Sequence, residues 1–178
     1  MNDKSDVIEL TIYKEKFVPL NVYCLKKLIS LTIYETRFYE FNLDDPSIRS
    51  IPAEIGQLTS LRTLRIYDSP VLHLPNELGN LKLLTTLTIK SGYLYELPTF
   101  IGNFSALQTL ELPYNNLKTL PSTISSLRSL QTLDIQSNQL TSINELNNMN
   151  GLRYLYAQNC NIKSLLNNIS QLTNLNVL

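Results

Sequence analysis

The sequence predicts an α/β solenoid, a coil of stacked repeats with a parallel sheet along one side. Three observations predict it. Apolar residues recur at a fixed interval: Leu107, Leu110, Leu112, Leu117, Leu120, Ile124 and Leu127 are matched 23 residues earlier by Leu84, Leu87, Ile89, Leu94, Leu97, Ile101 and Phe104. They are matched 23 residues later by Leu130, Leu133, Ile135, Leu140 and Ile143. A period in the low twenties marks a solenoid. Within each repeat an alternation of apolar and polar residues (Leu64/Ile66, Leu87/Ile89, Leu110/Leu112, Leu133/Ile135, Leu155/Ala157) has the period of two expected of a strand. Finally, a Leu-Pro pair such as Leu120-Pro121 precedes two apolar residues three apart, Ile124 and Leu127. Proline suits the first position of a short helical turn, where the amide it lacks would have had no partner.

The chain reads as a single domain over 1–178, with repeats starting near 7, 28, 61, 84, 107, 130, 152 and 175. Val7 opens a degenerate first repeat with Leu10, Ile12, Phe17 and Leu20 as its inward residues. The second begins at Leu28 with Leu31, Ile33, Phe38 and Phe41. Phe38 could also start a strand, but only ten residues after Leu28, too soon to complete a turn of coil. The resemblance of Arg37–Phe41 to Tyr93–Leu97 supports the first register. Leu28 to Ser60 is therefore one long repeat with about ten extra residues near 42–50, a surface bulge where insertions are tolerated. From Leu61 the spacing is regular except near Asn144–Gly151, where one residue and the Leu-Pro pair are lost. The last repeat is incomplete at Leu178, an open apolar end that invites continuation in a longer protein or end-to-end self-association.

No single repeat can bury its own apolar residues; stacking makes the core continuous. An asparagine at the corner after each strand can bond backbone groups of adjacent turns. Only Asn115 and Asn138 fill that slot, while Glu15, Thr36, Ser69, Gly92 and Cys160 occupy it elsewhere, so the ladder is expected to be weak toward the amino end. With these residues in place, the chain resembles leucine-rich-repeat proteins over nearly its whole length from Val7. It is most similar to the 23-residue Leu-Pro class found in intracellular Ras-group and many bacterial repeat proteins. The resemblance implies a right-handed, curved coil with a parallel sheet on its concave side and short helical or 3-10 turns on the convex side. It also implies an interaction module whose concave sheet binds another protein.

Composition narrows the function further. Fifteen basic residues balance fifteen acidic ones, leaving a net charge of +0, so no field draws nucleic acid or an anionic membrane. No stretch reaches the roughly 18 apolar residues of a membrane span. The first residues lack the basic and apolar segments of a signal peptide, and a soluble cytoplasmic protein is expected unless a signal has been removed. The two cysteines, Cys24 and Cys160, lie six turns apart, roughly 29 Å at about 4.8 Å per strand, too far for a disulfide. That fits a reducing compartment.

No catalytic, metal or cofactor site is expected. The one histidine, His73, sits in a corner between Leu72 and Leu74 with no grouped partners, and reads as a surface or half-buried residue. Cys160 reads as a structural slot residue. Five scattered glycines make no phosphate loop. Asn103 and Asn168 match the glycosylation acceptor pattern, which matters only in a secreted eukaryotic protein.

The positions left free are those facing outward on the strands. Tyr13, Tyr34 and Tyr67 share one slot on successive strands, so their rings are expected to stack about 4.8 Å apart, flanked by Arg65 and Lys90. Tyr154 and Tyr156 form a second aromatic patch. Tyrosine and arginine are enriched at binding hot spots, so these seven are the candidate partner-binding residues for a protein or peptide. A parallel sheet would also stack aromatics with no partner. A targeting or substrate-recognition segment of a larger enzyme or signalling protein is the alternative to a self-contained module.

Overall fold

Each predicted alternation forms a strand in a computed structural model, which describes residues 7–38, 50–163, 172 and 174. The strands are β1 (Glu9–Tyr13), β2 (Ser30–Tyr34), β3 (Thr63–Tyr67), β4 (Thr86–Lys90), β5 (Thr109–Glu111), β6 (Thr132–Asp134) and β7 (Tyr154–Tyr156). They form one open parallel sheet in sequence order. Equivalent residues pair across every step: Leu10, Leu31, Leu64, Leu87, Leu110, Leu133 and Leu155 lie in one row. The pairing places β3 directly beside β2, with no strand at Phe38 between them.

Behind the sheet the inward leucines and isoleucines make one continuous apolar core. Its far wall consists of 3-10 turns at Leu20–Cys24, Ala53–Gln57, Asn76–Asn80, Thr99–Asn103, Ser122–Ser126 and Asn144–Leu146. Five of these turns follow a proline, but the proline lies one position ahead of the first helical residue and is extended, as at Pro98 (φ −65°, ψ 154°). Its carbonyl accepts the first bond of the turn, from Ile101 N at 3.1 Å for Pro98. The ring thus fixes the entry to the turn and loses no donor.

The turns of successive repeats pack backbone to backbone. A methyl group on Gly56 would lie 2.5 Å from the Glu77 carbonyl oxygen, and one on Gly102 would lie 2.5 Å from that of Thr123. Glycine is required there by close approach, while its φ is ordinary. At the opposite end of each strand the chain turns through a left-handed residue. Lys14, Glu35, Asp68, Ser91, Tyr114, Ser137 and Asn159 all have φ between 44° and 57°, and none is glycine.

Three further expectations need correction. Leu20 is 66% exposed, and Val18 takes the corner position in the core instead. The first repeat is two residues shorter than the regular ones, so Val18-Pro19 falls where later repeats place Leu-Pro. The corner ladder is also stronger at the amino end than its residue types suggest. Thr36 and Ser69 are fully buried. The Thr36 hydroxyl accepts from Glu15 N (3.2 Å) and donates to the Tyr34 carbonyl (2.7 Å); the Ser69 hydroxyl accepts from Thr36 N (3.0 Å) and donates to that of Tyr67 (2.9 Å). A hydroxyl, being both donor and acceptor, does part of what asparagine does further on. Asn115 itself accepts from Gly92 N and Leu94 N and donates to the Ile89 carbonyl at 2.7 Å. Asn138 accepts from Leu117 N and donates to the Leu112 carbonyl, and Cys160 Sγ donates to that of Ile135 at 3.2 Å. Third, Tyr13 does not stack as its neighbours do. Phe41, most of the 42–50 bulge, Asn168 and the end of the chain at 175–178 lie outside the described residues.

Candidate functional site

The outward face of the sheet is a regular array. Parallel pairing without register shift puts the first and third residues of every strand, and the fifth residues of β1 to β4, into columns. The column nearest the left-handed corner begins Tyr13, Tyr34, Tyr67, Lys90. Tyr34 and Tyr67 stack face to face, with centroids 4.7 Å apart and planes 10° apart. Tyr13 meets Tyr34 edge-on at 6.1 Å and 67°. Tyr13 lies on the first strand of the sheet, with no strand among the described residues beyond it to carry a stacking partner, and it takes the edge-on geometry that suits the ring quadrupole. Tyr13 is 58% exposed, while Tyr34 and Tyr67 are half-buried.

Charges surround this column. Lys14 lies 5.1 Å from the Tyr13 ring and 3.6 Å from the Glu35 carboxylate. Hydrogen bonding to Tyr13, then attraction to Glu35, raises its pKa. Burial pushes the Tyr67 phenol up; Arg65 pulls it back down, while Tyr34 and Glu111 add to the rise. Arg65 is half-buried in the middle column. Lys90, the cross-strand partner of Tyr67, extends over the Tyr114 ring at 5.6 Å. It thereby meets an aromatic that the strand pattern gave no reason to choose.

That aromatic is one of three exposed tyrosines that follow the strands in the chain. Tyr114 (51% exposed) and Tyr93 are both left-handed residues, and Tyr95 follows on the flank. Tyr95 and His73 have ring centroids 4.5 Å apart and share a 2.6 Å hydrogen bond between hydroxyl and Nε2; the tautomer sets the donor. Glu96 lies 3.5 Å from His73 Nδ1. His73 is thus half-buried, with partners supplied by the next repeat. A 23-residue offset would have revealed them, because Glu96 occupies the His73 slot one turn on.

Tyr154 and Tyr156 lie on β7, four strands from β3 and roughly 19 Å away at about 4.8 Å per step. The sheet therefore does not bring the seven candidates into one patch. Between the patches the middle column carries Glu111 and Asp134, side by side on β5 and β6. At the amino-terminal edge an apolar hollow of about 790 Å³, lined in part by Leu10, Ile12, Val22 and Leu25, opens beside Tyr13. Among the described residues, no three metal-ligating side chains gather and no helix is long and apolar enough to cross a membrane. Both cysteines are free thiols.

Comparison with known proteins agrees with this architecture. A model described as a leucine-rich repeat region matches residues 77–178. No curated protein sequence matches the chain. Among solved structures, a leucine-rich-repeat protein of Leptospira interrogans is 26% identical with a TM-score of 0.66, over 99% of this chain and 55% of that one. An internalin from Listeria monocytogenes is 25% identical with a TM-score of 0.76, over 95% of this chain and 46% of that one. A plant peptide hormone receptor in complex with RGF2 is 27% identical with a TM-score of 0.75, over 95% and 26%. The chain thus spans about a quarter to just over half the length of these proteins. With a family model covering more than half of its residues and every strand in the repeat register, the chain belongs to the leucine-rich-repeat family.

Proposed function

We propose that the chain is a non-enzymatic binding module that holds a protein or peptide on the exposed face of its sheet. Leucine-rich-repeat structures such as the internalin and the hormone receptor support an interaction role in general. The observation that carries the finer reading is the column of Tyr13, Tyr34 and Tyr67, which stays partly open to solvent on a sheet whose other outward positions carry threonine more often than any other residue. Tyr67 and Arg65 are half-buried on that face, and tyrosine and arginine are the residue types enriched at interface hot spots. Lys90, Tyr154 and Tyr156 extend the surface. An intracellular location goes with this reading, supported by the free thiols of Cys24 and Cys160.

The test is partner capture by the wild-type chain and by the Tyr34→Ala/Tyr67→Ala variant, with circular dichroism as the control for folding. Selective loss of captured partners is expected; unchanged capture would move the site off this face. A second reading, a targeting segment of a larger enzyme or signalling protein, is favoured by the share of its structural neighbours that the chain spans. The length of the parent open reading frame separates the two.

A further inference from the structure

The middle column of the sheet face is divided by charge. In register across β2 to β7 it runs Thr32, Arg65, Thr88, Glu111, Asp134, Tyr156. At about 4.8 Å per strand, Arg65 lies roughly 10 Å from Glu111 and roughly 14 Å from Asp134. All three charged side chains are half-buried. Among the described residues the two carboxylates are held by neutral donors. Thr88 Oγ1 donates to Glu111 Oε2 at 2.7 Å; Gln136 gives Asp134 its backbone N–H at 3.0 Å and its Nε2 at 2.9 Å. Among the described residues no cation lies within ion-pair distance of Arg65's opposite numbers, Glu111 and Asp134, and Arg65 has no carboxylate of its own. Like charges directly opposite on neighbouring strands oppose pairing. Threonine, which serves this column at Thr32 and Thr88, would satisfy the sheet without that repulsion.

Tyr67 marks the seam, since its phenol feels both Arg65 and Glu111. Beyond Asp134 the last described residue of the row is Tyr156, an aromatic neighbour that favours a cation. The face therefore offers one positive and one negative pole, each short of a counter-charge.

Building on the proposed face, we infer that its occupant is an extended segment of a partner protein crossing the strands. An acidic side chain of that segment rests on Arg65, and a lysine or arginine four residues away rests between Glu111, Asp134 and Tyr156. Residues four apart on one side of an extended chain are separated by roughly 13 Å, which matches the Arg65-to-Asp134 span; spacings of two or six do not.

The test uses acetylated, amidated nonapeptides on a Thr/Val/Ser host, carrying one Glu and one Arg two, four or six residues apart in both orders, with doubly acidic and doubly basic controls. Binding is read by isothermal titration calorimetry. One order of the four-spaced pair is expected to bind about tenfold more tightly than either control, a preference that fades as salt rises. The Glu111→Lys/Asp134→Lys variant is expected to prefer the doubly acidic peptide. If that variant does not fold by circular dichroism, Glu111→Gln/Asp134→Asn is used, and the preference for the mixed pair is expected to collapse. Affinity that ignores charge and spacing, or that survives either variant unchanged, overturns the inference. If such charge-blind binding is still lost in Tyr34→Ala/Tyr67→Ala, the face is right and the charge rule wrong. If no peptide binds, the charge rule fails, and partner capture by the tyrosine variant decides on the face separately.

Discussion

The amino-terminal repeats, up to β3, and those from β4 onward solve the same stacking problem with different chemistry. The early corners are held by the hydroxyls of Thr36 and Ser69, each accepting one N–H and donating to one carbonyl. The later ones are held by Asn115 and Asn138, whose amides each reach several backbone groups. The outer face changes at the same point: aromatic stacking and Arg65 give way to Glu111 and Asp134. The carboxyl half carries more of its order inside the corner, and the amino half carries more of its character on the surface. Corner amides and stacked rings are thus weighted toward opposite ends of one continuous sheet.

Breaking the corners gives the largest expected effect. Asn115→Ala or Asn138→Ala leaves several buried backbone groups unsatisfied and should cost about 3–5 kcal/mol, whereas Thr36→Val should cost about 1–2 kcal/mol. Urea unfolding midpoints check the ranking; equal losses would erase the distinction between the halves. The back of the coil should not distinguish them. Gly56→Ala and Gly102→Ala each press a methyl group against a carbonyl oxygen, and both should cost about 1–3 kcal/mol in thermal denaturation. Smaller still, Ser91→Asn and Ser137→Asn put a residue that tolerates left-handed backbone at the strand exits. Both should stabilise by a few tenths to about 1 kcal/mol; a loss would show that the serine hydroxyls matter more than the backbone. The smallest effect concerns pH. Because the folded Tyr67 pKa is raised, its contribution is complete below the ordinary phenol value and falls as pH climbs through the folded one. Tyr67→Phe should flatten the decline in stability above about pH 10, followed by tyrosinate absorbance.

Most of the frame was legible in the sequence because period and alternation report directly on what points inward. Leu64, Leu87, Leu110 and Leu133 lie where the spacing put them, fully buried and in register. What escaped depended on geometry that spacing does not encode. Thr36 and Ser69 do not stand out in the sequence because asparagine is the residue type that marks this corner, although a buried hydroxyl can both give and take a hydrogen bond. Leu20 was misplaced because a two-residue deletion moves Val18-Pro19 into the corner, and a fixed template slides past it. On the face, the column was readable but the tilt of Tyr13 was not, since it follows from lying at an edge. Tyr93, Tyr95 and Tyr114 were invisible to a strand pattern because they lie after the strands, two of them in left-handed conformation.

The side-chain bonds that tie repeats to neighbouring backbone have a direction. Asn115 and Asn138 grip carbonyls of the turn before them, Thr85 donates to the Arg62 carbonyl, Thr123 to that of Thr99, and Ser129 to that of Ser105. Each layer is clasped by its successor, as roof tiles are pinned by the course above. Trimming the coil from its carboxyl side therefore unclasps the layer newly laid bare, whereas trimming from the amino side leaves the surviving clasps closed. Shortened versions of equal length would then differ in how readily their end layers fray, according to which end was cut.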